Sequence, residues 1–411
     1  MNPTVAVKRV AQIQYGLGQP PKLSEDGIPI LRATNITRGK ITERGLLRAN
    51  LEDLPIKRAP LLTEGEILVV RSGAYTGDSA RITKKWAGSA PGYDLRVTPI
   101  SVESRYLAHV LLSIPVQDQI KLVSSRAAQP HLNAEDLGEV EIWSPPLEEQ
   151  RRIADFLDAE TSRIDTLISL QKEVLARLDE RDRSLRDGLL DRLSLETQEL
   201  PLRRFVTRID QGASPQCDAV SRIGDEWGVL KLSAVKHGLF VPTENKRLPE
   251  DISPRKEYEV RDGDFLVTRA NTPSLVGDVA VVRGNVTKLM LPDLIYRVGL
   301  TAGIDPRFVS EIAQGSRVRL LIEAVARGSS QSMVKLRGDD IREWPIPAAN
   351  QAQQASLIAE IDRGTGFTKT LRTAIHRQLD LLAERRQSLI TAAVTGQFDV
   401  SSASGRGVAT P

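Results

Sequence analysis

The chain has 411 residues, more than one hydrophobic core usually organises, so at least two domains are expected. Hydrophobic residues make up 40% and charged residues 27% of it, and no run of roughly 18 apolar residues occurs. This composition argues against a membrane protein and predicts a soluble, cytoplasmic chain. The net charge of +3 does not by itself indicate nucleic acid, and a single cysteine, Cys217, excludes a disulfide framework or a cysteine-based zinc site.

Short β-rich runs bounded by glycine and proline come first in the chain, at 28–36, 66–71 and 93–100. Similar runs occur again at 229–235, 264–269 and 278–283. Runs of this length and composition indicate strands of mixed α/β globular units.

The pattern becomes helical after "WSPP" at 143–146. Residues at alternating spacings of four and three then form a seam typical of a coiled coil, namely Ile164, Ile168, Gln171, Leu175, Leu178, Asp182, Leu185 and Leu189. A second helical stretch carries Ile375, Leu379, Leu382 and Leu389, with Arg372 and Arg386 interrupting the stripe. The two stripes are expected to bury each other. Asp182 and Arg386 either meet in the seam or are solvated at its margin, and we favour the second interpretation.

The two helical stretches belong to a repeat that runs through the whole chain. "LDERDRSL" (178–185) returns as "LAERRQSL" (382–389), and Gln150/Gln354 and Asp158/Asp362 are identical pairs at the same offset of 204 residues. Upstream, "EGEILVVRSGAYTGD" (64–78) matches "DGDFLVTRANTPSLVGD" (262–278), which pairs Arg71 with Arg269. Two homologous halves are therefore predicted.

The order of these blocks carries a resemblance. "GIPILRATNITRGKI", "EGEILVVRSG", a glutamine-containing loop, "PPLEEQRRIADFLD" and a long charged helix, all duplicated, resemble the DNA-specificity subunits of type I restriction-modification systems. The resemblance covers essentially the full chain. The second copy departs from the family pattern at "PAANQAQQASLIAEID" and at "RGTGFTK", where glycines interrupt the start of the helix. The boundary of the second helix is therefore left open.

The resemblance implies an α+β fold in which two long helices, paired as an antiparallel coiled coil, join two mixed α/β target-recognition domains with an internal pseudo-two-fold repeat. The expected boundaries are 1–146 for the first recognition domain, 147–198 for the first spacer helix region, 199–348 for the second recognition domain, 349–398 for the second spacer helix region and 399–411 for a flexible tail. The spacer helices would also be the docking surface for methyltransferase subunits. The apolar seam residues assigned to them are Ile164, Ile168, Leu175, Leu178, Leu185, Leu189, Leu379, Leu382 and Leu389.

The implied function is the recognition of a bipartite, asymmetric DNA site by a subunit that is not itself an enzyme. Its expected partners are double-stranded DNA, two methyltransferase subunits and, in a larger assembly, restriction subunits, with no membrane involved. No cofactor or metal is expected in this chain, because S-adenosylmethionine would be bound by the methyltransferase.

Candidate DNA contacts are polar residues at paired motif positions. Arg71 and Arg269 follow apolar strands, where a guanidinium could bind guanine or phosphate, although an ion pair with Glu66 or Asp264 is the alternative. Glutamine can pair with adenine, which draws attention to Gln129 and Gln331, although capping of their loops is equally compatible. The full candidate set is Arg32, Asn35, Arg38, Arg71, Tyr75, Arg126, Gln129, Lys231, Lys236, Arg269, Asn271, Arg327, Gln331 and Lys335.

Motifs for catalysis are missing from the sequence. There is no phosphate-binding Gly-x4-Gly-Lys-Ser/Thr loop and no glycine-rich S-adenosylmethionine fingerprint. "SPPL" at 144–147 lacks the aromatic residue that would stack on a flipped base, and prolines entering a helix explain it better. A stand-alone DNA methyltransferase, or another DNA-modifying enzyme with an unrecognised active site, is the alternative.

Overall fold

The structure, a computed structural model, describes residues 3–124, 130–330 and 333–400, and for 327–330 it describes the backbone only. The chain divides into two compact units. The first unit runs through Lys172 and resumes at His376, and the second unit is Glu173–Ile375. Each unit therefore contains one globular half of the repeat together with parts of both long helices.

The globular part of the first unit has short strands and short helices. Its strands are β1 (Thr4–Ala6), β2 (Ala11–Tyr15), β3 (Ile28–Leu31), β4 (Ile36–Thr37), β5 (Lys40–Ile41), β6 (Leu47–Ala49), β7 (Ile67–Val69), β8 (Ser79–Arg81), β9 (Ala90–Pro91), β10 (Leu95–Pro99) and β11 (Glu141–Trp143). Its helices are α1 (Ser104–Leu111), α2 (Ile114–Ser124) and α3 (Ala134–Gly138), and the long helix α4 (Leu147–Glu196) follows.

The second half repeats this order. Its strands are β12 (Glu199–Pro201), β13 (Val206–Gln211), β14 (Gly228–Leu230), β15 (Val235–Lys236), β16 (Leu239–Phe240), β17 (Asn245–Arg247), β18 (Phe265–Thr268), β19 (Ala270–Asn271), β20 (Val279–Val281), β21 (Leu289–Met290), β22 (Ile295–Leu300), β23 (Arg327–Ser330), β24 (Met333–Lys335) and β25 (Pro345–Pro347). Its helices are α5 (Pro306–Ala313), α6 (Ser316–Val325), α7 (Gly338–Arg342) and the long helix α8 (Gln351–Val394). None of the helices in the described ranges combines the length and apolar character needed to cross a membrane.

Both halves are built around the same antiparallel four-stranded sheet. Its strand order is β2-β10-β7-β8 in the first unit and β13-β22-β18-β20 in the second. A three-stranded sheet accompanies each, ordered β6-β3-β9 and β17-β14-β21, with one parallel pair in each. The predicted duplication is therefore confirmed at the level of strand order.

Each half uses a buried glutamine to hold its first short helix against the entry of a long helix. Gln150 Oε1 accepts from the backbone N of Glu103 at 2.8 Å, and its Nε2 donates to the carbonyl of Pro145 at 2.7 Å. In the second unit, Gln354 makes the same pair of hydrogen bonds, to Asp305 N and to the carbonyl of Ala349, at 2.8 and 2.9 Å. This shared role explains why the two glutamines are identical in the repeat.

In the first unit, α4 and α8 run antiparallel. Asp165 of α4 forms an ion pair with Arg386 of α8 at 3.4 Å, and Gln171 donates to Gln378 at 3.1 Å. Residue numbers thus rise along one helix as they fall along the other. The side chain of Arg386 is only 15% exposed, so its assignment as a solvated charge at the margin is wrong.

In the second unit, the same two helices pair around a buried carboxylate. Asp182 is 7% exposed, accepts from the hydroxyl of Thr368 at 2.8 Å and binds Nη1 of Arg372 at 2.8 Å. The interpretation of Asp182 as a solvated charge is therefore also wrong, and its partner is Arg372 rather than Arg386. A carboxylate can remain in such a seam because a cation and a hydroxyl compensate its desolvation.

The apolar positions of the predicted seam are shielded from solvent. Ile164 and Leu189 are buried, and the others are partly buried, namely Ile168, Leu175, Leu178, Leu185, Leu379, Leu382 and Leu389. The predicted coiled coil is thus confirmed.

The glycines of "RGTGFTK" do not interrupt the second helix. Helix α8 is continuous through Gly364 and Gly366. A Cβ placed on Gly364 would lie 2.3 Å from Cδ2 of Leu185 on α4. The expected interruption was therefore wrong. Glycine has a low helix propensity, but at position 364 its missing Cβ leaves room for Leu185 of the other helix.

Candidate nucleic-acid interface

The side chain of Arg71, just after β7, lies against two tyrosine rings. Its guanidinium carbon is 4.7 Å from the centre of the Tyr15 ring and 4.3 Å from that of Tyr93. Tyr15 ends β2 and Tyr93 precedes β10, which pairs with both β2 and β7. The sheet therefore brings the three side chains together, and cation-π attraction holds the arginine between strand ends. We call Tyr15, Arg71 and Tyr93 the arginine clamp.

The ion pair considered for Arg71 from the sequence is not formed. Glu66 is buried and accepts from Arg96 Nε at 2.6 Å and from the Thr98 hydroxyl at 2.7 Å. The side chain of Arg71 instead approaches His131, with Nη2 and Nε2 2.9 Å apart. Within the described ranges no carboxylate forms an ion pair with Arg71, so its positive charge is available to a ligand.

Asp94 supports the clamp from the backbone side. Its Oδ1 accepts from the backbone N of Arg71 at 3.2 Å. Burial raises the pKa of Asp94 to about 6, although the nearby charge of Arg71 acts in the opposite direction. The carboxylate thus contributes negative potential close to Arg71 without binding its guanidinium.

Arg269 occupies the matching place in the second unit, after β18. Its Nε donates to the hydroxyl of Tyr296 at 3.2 Å, and the ring centre of Tyr296 is 6.0 Å from the guanidinium carbon. Asp264, the alternative partner, lies 3.6 Å from Arg297 instead. The ion-pair alternative is therefore wrong in both halves, because the acidic residue of each "EGE" or "DGD" motif pairs with an arginine of the central strand.

A second segment lies beside each of the two arginines. In the first unit, Leu132 N donates to the carbonyl of Arg71 at 2.7 Å, and Ser72 forms a bridge with His131. In the second unit, Leu336 N donates to the carbonyl of Arg269 at 2.8 Å. The loops predicted to carry polar DNA contacts therefore end next to the two arginines.

In the second unit this neighbouring segment forms a sheet ordered β19-β24-β23. The sheet aligns Ala270 with Lys335 and Arg327 with Lys335, and Asn271 pairs with Val334. Three candidate residues, Asn271, Lys335 and Arg327, are thus brought to adjoining strands. The candidates Arg126, Gln129 and Gln331 lie outside the described residues, as does the side chain of Arg327.

The cluster that includes Arg32 and Asn35 is organised differently. Asn35 is completely buried, donates to the carbonyls of Thr42 and Arg44 at 3.1 and 3.0 Å, and accepts from Arg32 N at 3.2 Å. Asn35 therefore shapes its own loop and exposes no side-chain surface to a ligand. Arg32 Nη2 donates to the carbonyl of Gly45 at 2.8 Å and is held at the same loop.

Arg38 lies at the tight turn between β4 and β5. It has a φ of 42° and Gly39 a φ of 88°, as a two-residue hairpin turn requires. The following residue, Lys40, forms an ion pair with Asp165 of α4 at 2.8 Å. Among the described residues, no hydrogen bond or ion pair joins this turn to the arginine clamp.

The second half repeats this turn between β15 and β16, with His237 at a φ of 51° and Gly238 at 77°. Lys236 is exposed beside it, and Lys231 lies 3.8 Å from Glu244. Burial raises the pKa of Asp78 behind the first turn and of Asp278 behind the second. Within the described residues, no hydrogen bond or ion pair joins Lys231 or Lys236 to Arg269.

The aromatic partners of the two arginines were missed from the sequence. Aromatic residues make up only 4% of the chain, so tyrosines near strand ends could have been weighed as a signal. Tyr15 and Tyr93 are distant in sequence from Arg71, and only the strand order joins them. Tyr75, which was a candidate, is 55% exposed in the loop that follows Arg71.

The first half of the chain is similar to known DNA specificity proteins. Residues 14–177, which include the arginine clamp, match the family model of the type I restriction modification DNA specificity domain. The chain is 35% identical over 160 residues to the EcoEI specificity subunit of Escherichia coli, a segment covering 38% of this chain and 27% of that protein. Both matches are to type I specificity proteins, and the match to the family model spans about two fifths of this chain.

The similarity to other specificity subunits extends along most of the chain. The EcoKI specificity subunit of Escherichia coli strain K12 is 21% identical over 396 residues, which cover 92% of this chain and 83% of that protein. A chain from a solved type I restriction-modification system superimposes with a TM-score of 0.56 at 14% identity, covering 96% of this chain and 98% of that one. The fold of that solved chain therefore extends through both halves of this one.

Proposed function

We propose that this chain is the DNA-reading subunit of a type I restriction-modification complex and that each half reads one part of a bipartite, asymmetric site. The observation that carries the proposal is the matched placement of Arg71 and Arg269. Each follows the same strand of the same four-stranded sheet, and within the described residues neither is neutralised by a carboxylate. Guanidinium groups held in this way can bind guanine edges or phosphates.

The differences between the halves support an asymmetric site. Arg71 contacts two rings and a histidine, whereas Arg269 is held by one tyrosine hydroxyl beside a sheet that carries Lys335. Two sites of different shape and donor arrangement select different bases, because the major groove presents a distinct pattern for each base pair.

The chain is proposed to act without catalysing a reaction itself. Two methyltransferase subunits would bind S-adenosylmethionine and dock on the spacer helices, and restriction subunits would join a larger assembly. The long helices expose charged side chains and also apolar ones. The exposed apolar side chains include Leu167, Leu170 and Leu381. The complex would act in the cytoplasm, where bacterial DNA is found.

The test compares the purified chain with and without its methyltransferase subunits, using S-adenosylmethionine and genomic DNA fragments. We expect methyl transfer only when the partner subunits are present. DNA binding should weaken steeply with salt, because each phosphate contact releases counterions, with a log-log slope of about −0.9 per contact. Methyl transfer by the chain alone would instead support a stand-alone DNA methyltransferase.

A further inference from the structure

The arginine clamp has features that a simple phosphate contact does not require. One ring lies at the end of β2 and the other just before β10, and both remain about half exposed, Tyr15 at 47% and Tyr93 at 49%. The hydroxyl of Tyr15 accepts from the backbone N of Ala134 at 3.2 Å, which fixes that ring against the start of α3. The guanidinium is therefore oriented before any ligand binds.

The hydrogen-bonding state of Arg71 indicates which of its edges is available. Its Nε is buried and has no partner among the described residues, and its Nη2 approaches His131. The N–H groups of Arg71 that make no hydrogen bond within the described residues therefore include both on Nη1 and one on Nη2, and together these two nitrogens can make paired hydrogen bonds to two acceptors. In DNA, guanine presents two adjacent acceptors in the major groove, O6 and N7, whereas adenine presents a donor beside its N7.

From this geometry we infer that Arg71 reads a guanine in the first half-site and that Tyr15 and Tyr93 are positioning residues for that contact. This inference rests on the proposed function and deepens it. A phosphate tolerates a mobile cation, whereas a paired contact to a base edge requires a fixed plane and direction. The two rings fix this plane in advance, so less side-chain freedom is lost on binding.

The second unit provides a natural comparison. Arg269 has one ring contact at 6.0 Å, and its Nε is satisfied by the hydroxyl of Tyr296. Removing a ring next to Arg71 should therefore relax base selection in the first half-site only. Base selection by the second domain becomes an internal control that shows whether the complex is folded and active.

The experiment uses the full chain co-expressed with its methyltransferase subunits, followed by sequencing of methylated positions. The variants are Arg71→Lys and Tyr93→Leu, with Tyr93→Phe as the matched control that keeps the ring. The hydroxyl of Tyr93 has no recorded hydrogen bond in the described structure, so the phenylalanine variant tests the ring alone. Preference for guanine at one first-half-site position should fall roughly 10- to 100-fold in the first two variants and return in Tyr93→Phe.

Three outcomes would overturn the inference. One is methylation that falls equally at every sequence, with base preference unchanged, which would make the clamp a backbone contact or a structural element. Another is relaxation at a position that is not guanine, and a third is relaxation in the second half-site. In all three the proposed function would survive. If the wild-type complex methylated nothing, the proposed function itself would fail, and the inference with it.

Discussion

Asp187 of α4 binds Ser316, the first residue of α6, through both carboxylate oxygens. Oδ1 accepts from the backbone N at 2.8 Å and Oδ2 from the hydroxyl at 2.6 Å. Thr391 of α8 has the equivalent place in the first unit, where its hydroxyl accepts from the backbone N of Ile114, the first residue of α2, at 3.1 Å. A side chain of a long helix thus satisfies an N–H that the short helix cannot satisfy itself.

Replacing Asp187 by alanine should therefore destabilise the chain by ~1–2 kcal/mol, because α6 loses an acceptor for its first N–H and a favourable charge at its N-terminus. Asp187→Asn keeps one acceptor oxygen and should lose less. Urea unfolding measures the difference between the two variants. Equal stability of Asp187→Ala and wild type would show that water replaces the carboxylate without cost.

The buried pair of Asp182 and Arg372 predicts strong non-additivity. Arg372→Leu alone leaves the buried carboxylate with the Thr368 hydroxyl and the largely exposed Arg181 as its side-chain partners, and should cost roughly 3 kcal/mol. The double variant Asp182→Leu/Arg372→Leu should recover most of that loss. A double-mutant cycle in urea gives the coupling energy, and additive single effects would argue against a buried, compensated pair.

Gly364 and Gly366 of α8 form a matched pair for substitution. A Cβ on Gly366 meets nothing within 4 Å, so Gly366→Ala should stabilise the helix by about 0.5–1 kcal/mol. In Gly364→Ala the same gain is opposed by the contact with Leu185, which must change its side-chain conformation. Gly364→Ala should be less stable than Gly366→Ala by ~1 kcal/mol or more in thermal unfolding. Equal stability would mean that the helices do not approach closely at this position.

Asp94 predicts a pH dependence of stability. Because burial raises its pKa from 3.8 to about 6, the folded chain holds this proton more tightly than the unfolded chain. The resulting stabilisation is fully present below pH 3.8 and is lost as the pH rises through about 6. Asp94→Asn carries no titrating group there, so its stability relative to wild type should improve by ~1–3 kcal/mol between pH 4 and pH 8.

Asp118→Asn is the control for that measurement, because Asp118 is exposed on α2. It removes one carboxylate charge from the chain without removing a buried carboxyl group. If the stability difference between Asp94→Asn and wild type did not change with pH, this would contradict the raised pKa of Asp94.

Much of this architecture could be predicted from local sequence pattern. The apolar runs before Arg71 and Arg269 form the strands β7 and β18. The residues spaced alternately by four and three form the apolar seam of α4. These features depend on neighbouring residues and on the periodicity of each element, which a single sequence displays directly.

Contacts between residues far apart in sequence could not be predicted. The partner of Asp182 depends on the alignment of two helices, and that alignment places Arg372 rather than Arg386 opposite it. The arginine clamp depends on β10 lying between β2 and β7. From the sequence, Gly364 indicated a helix interruption. Its actual role depends on Leu185, which lies on the other helix and occupies the space that a Cβ at position 364 would fill.

Two different recognition domains in this chain are proposed to read one bipartite DNA site. The most direct measurement is methylome sequencing of a host that lacks other methyltransferases and expresses this chain with its methyltransferase subunits. We expect a single motif with two different half-sites separated by unread base pairs. We also expect that Arg269→Lys alters base preference in one half-site only. A continuous motif, a palindrome, or methylation that does not depend on this chain would contradict this proposal.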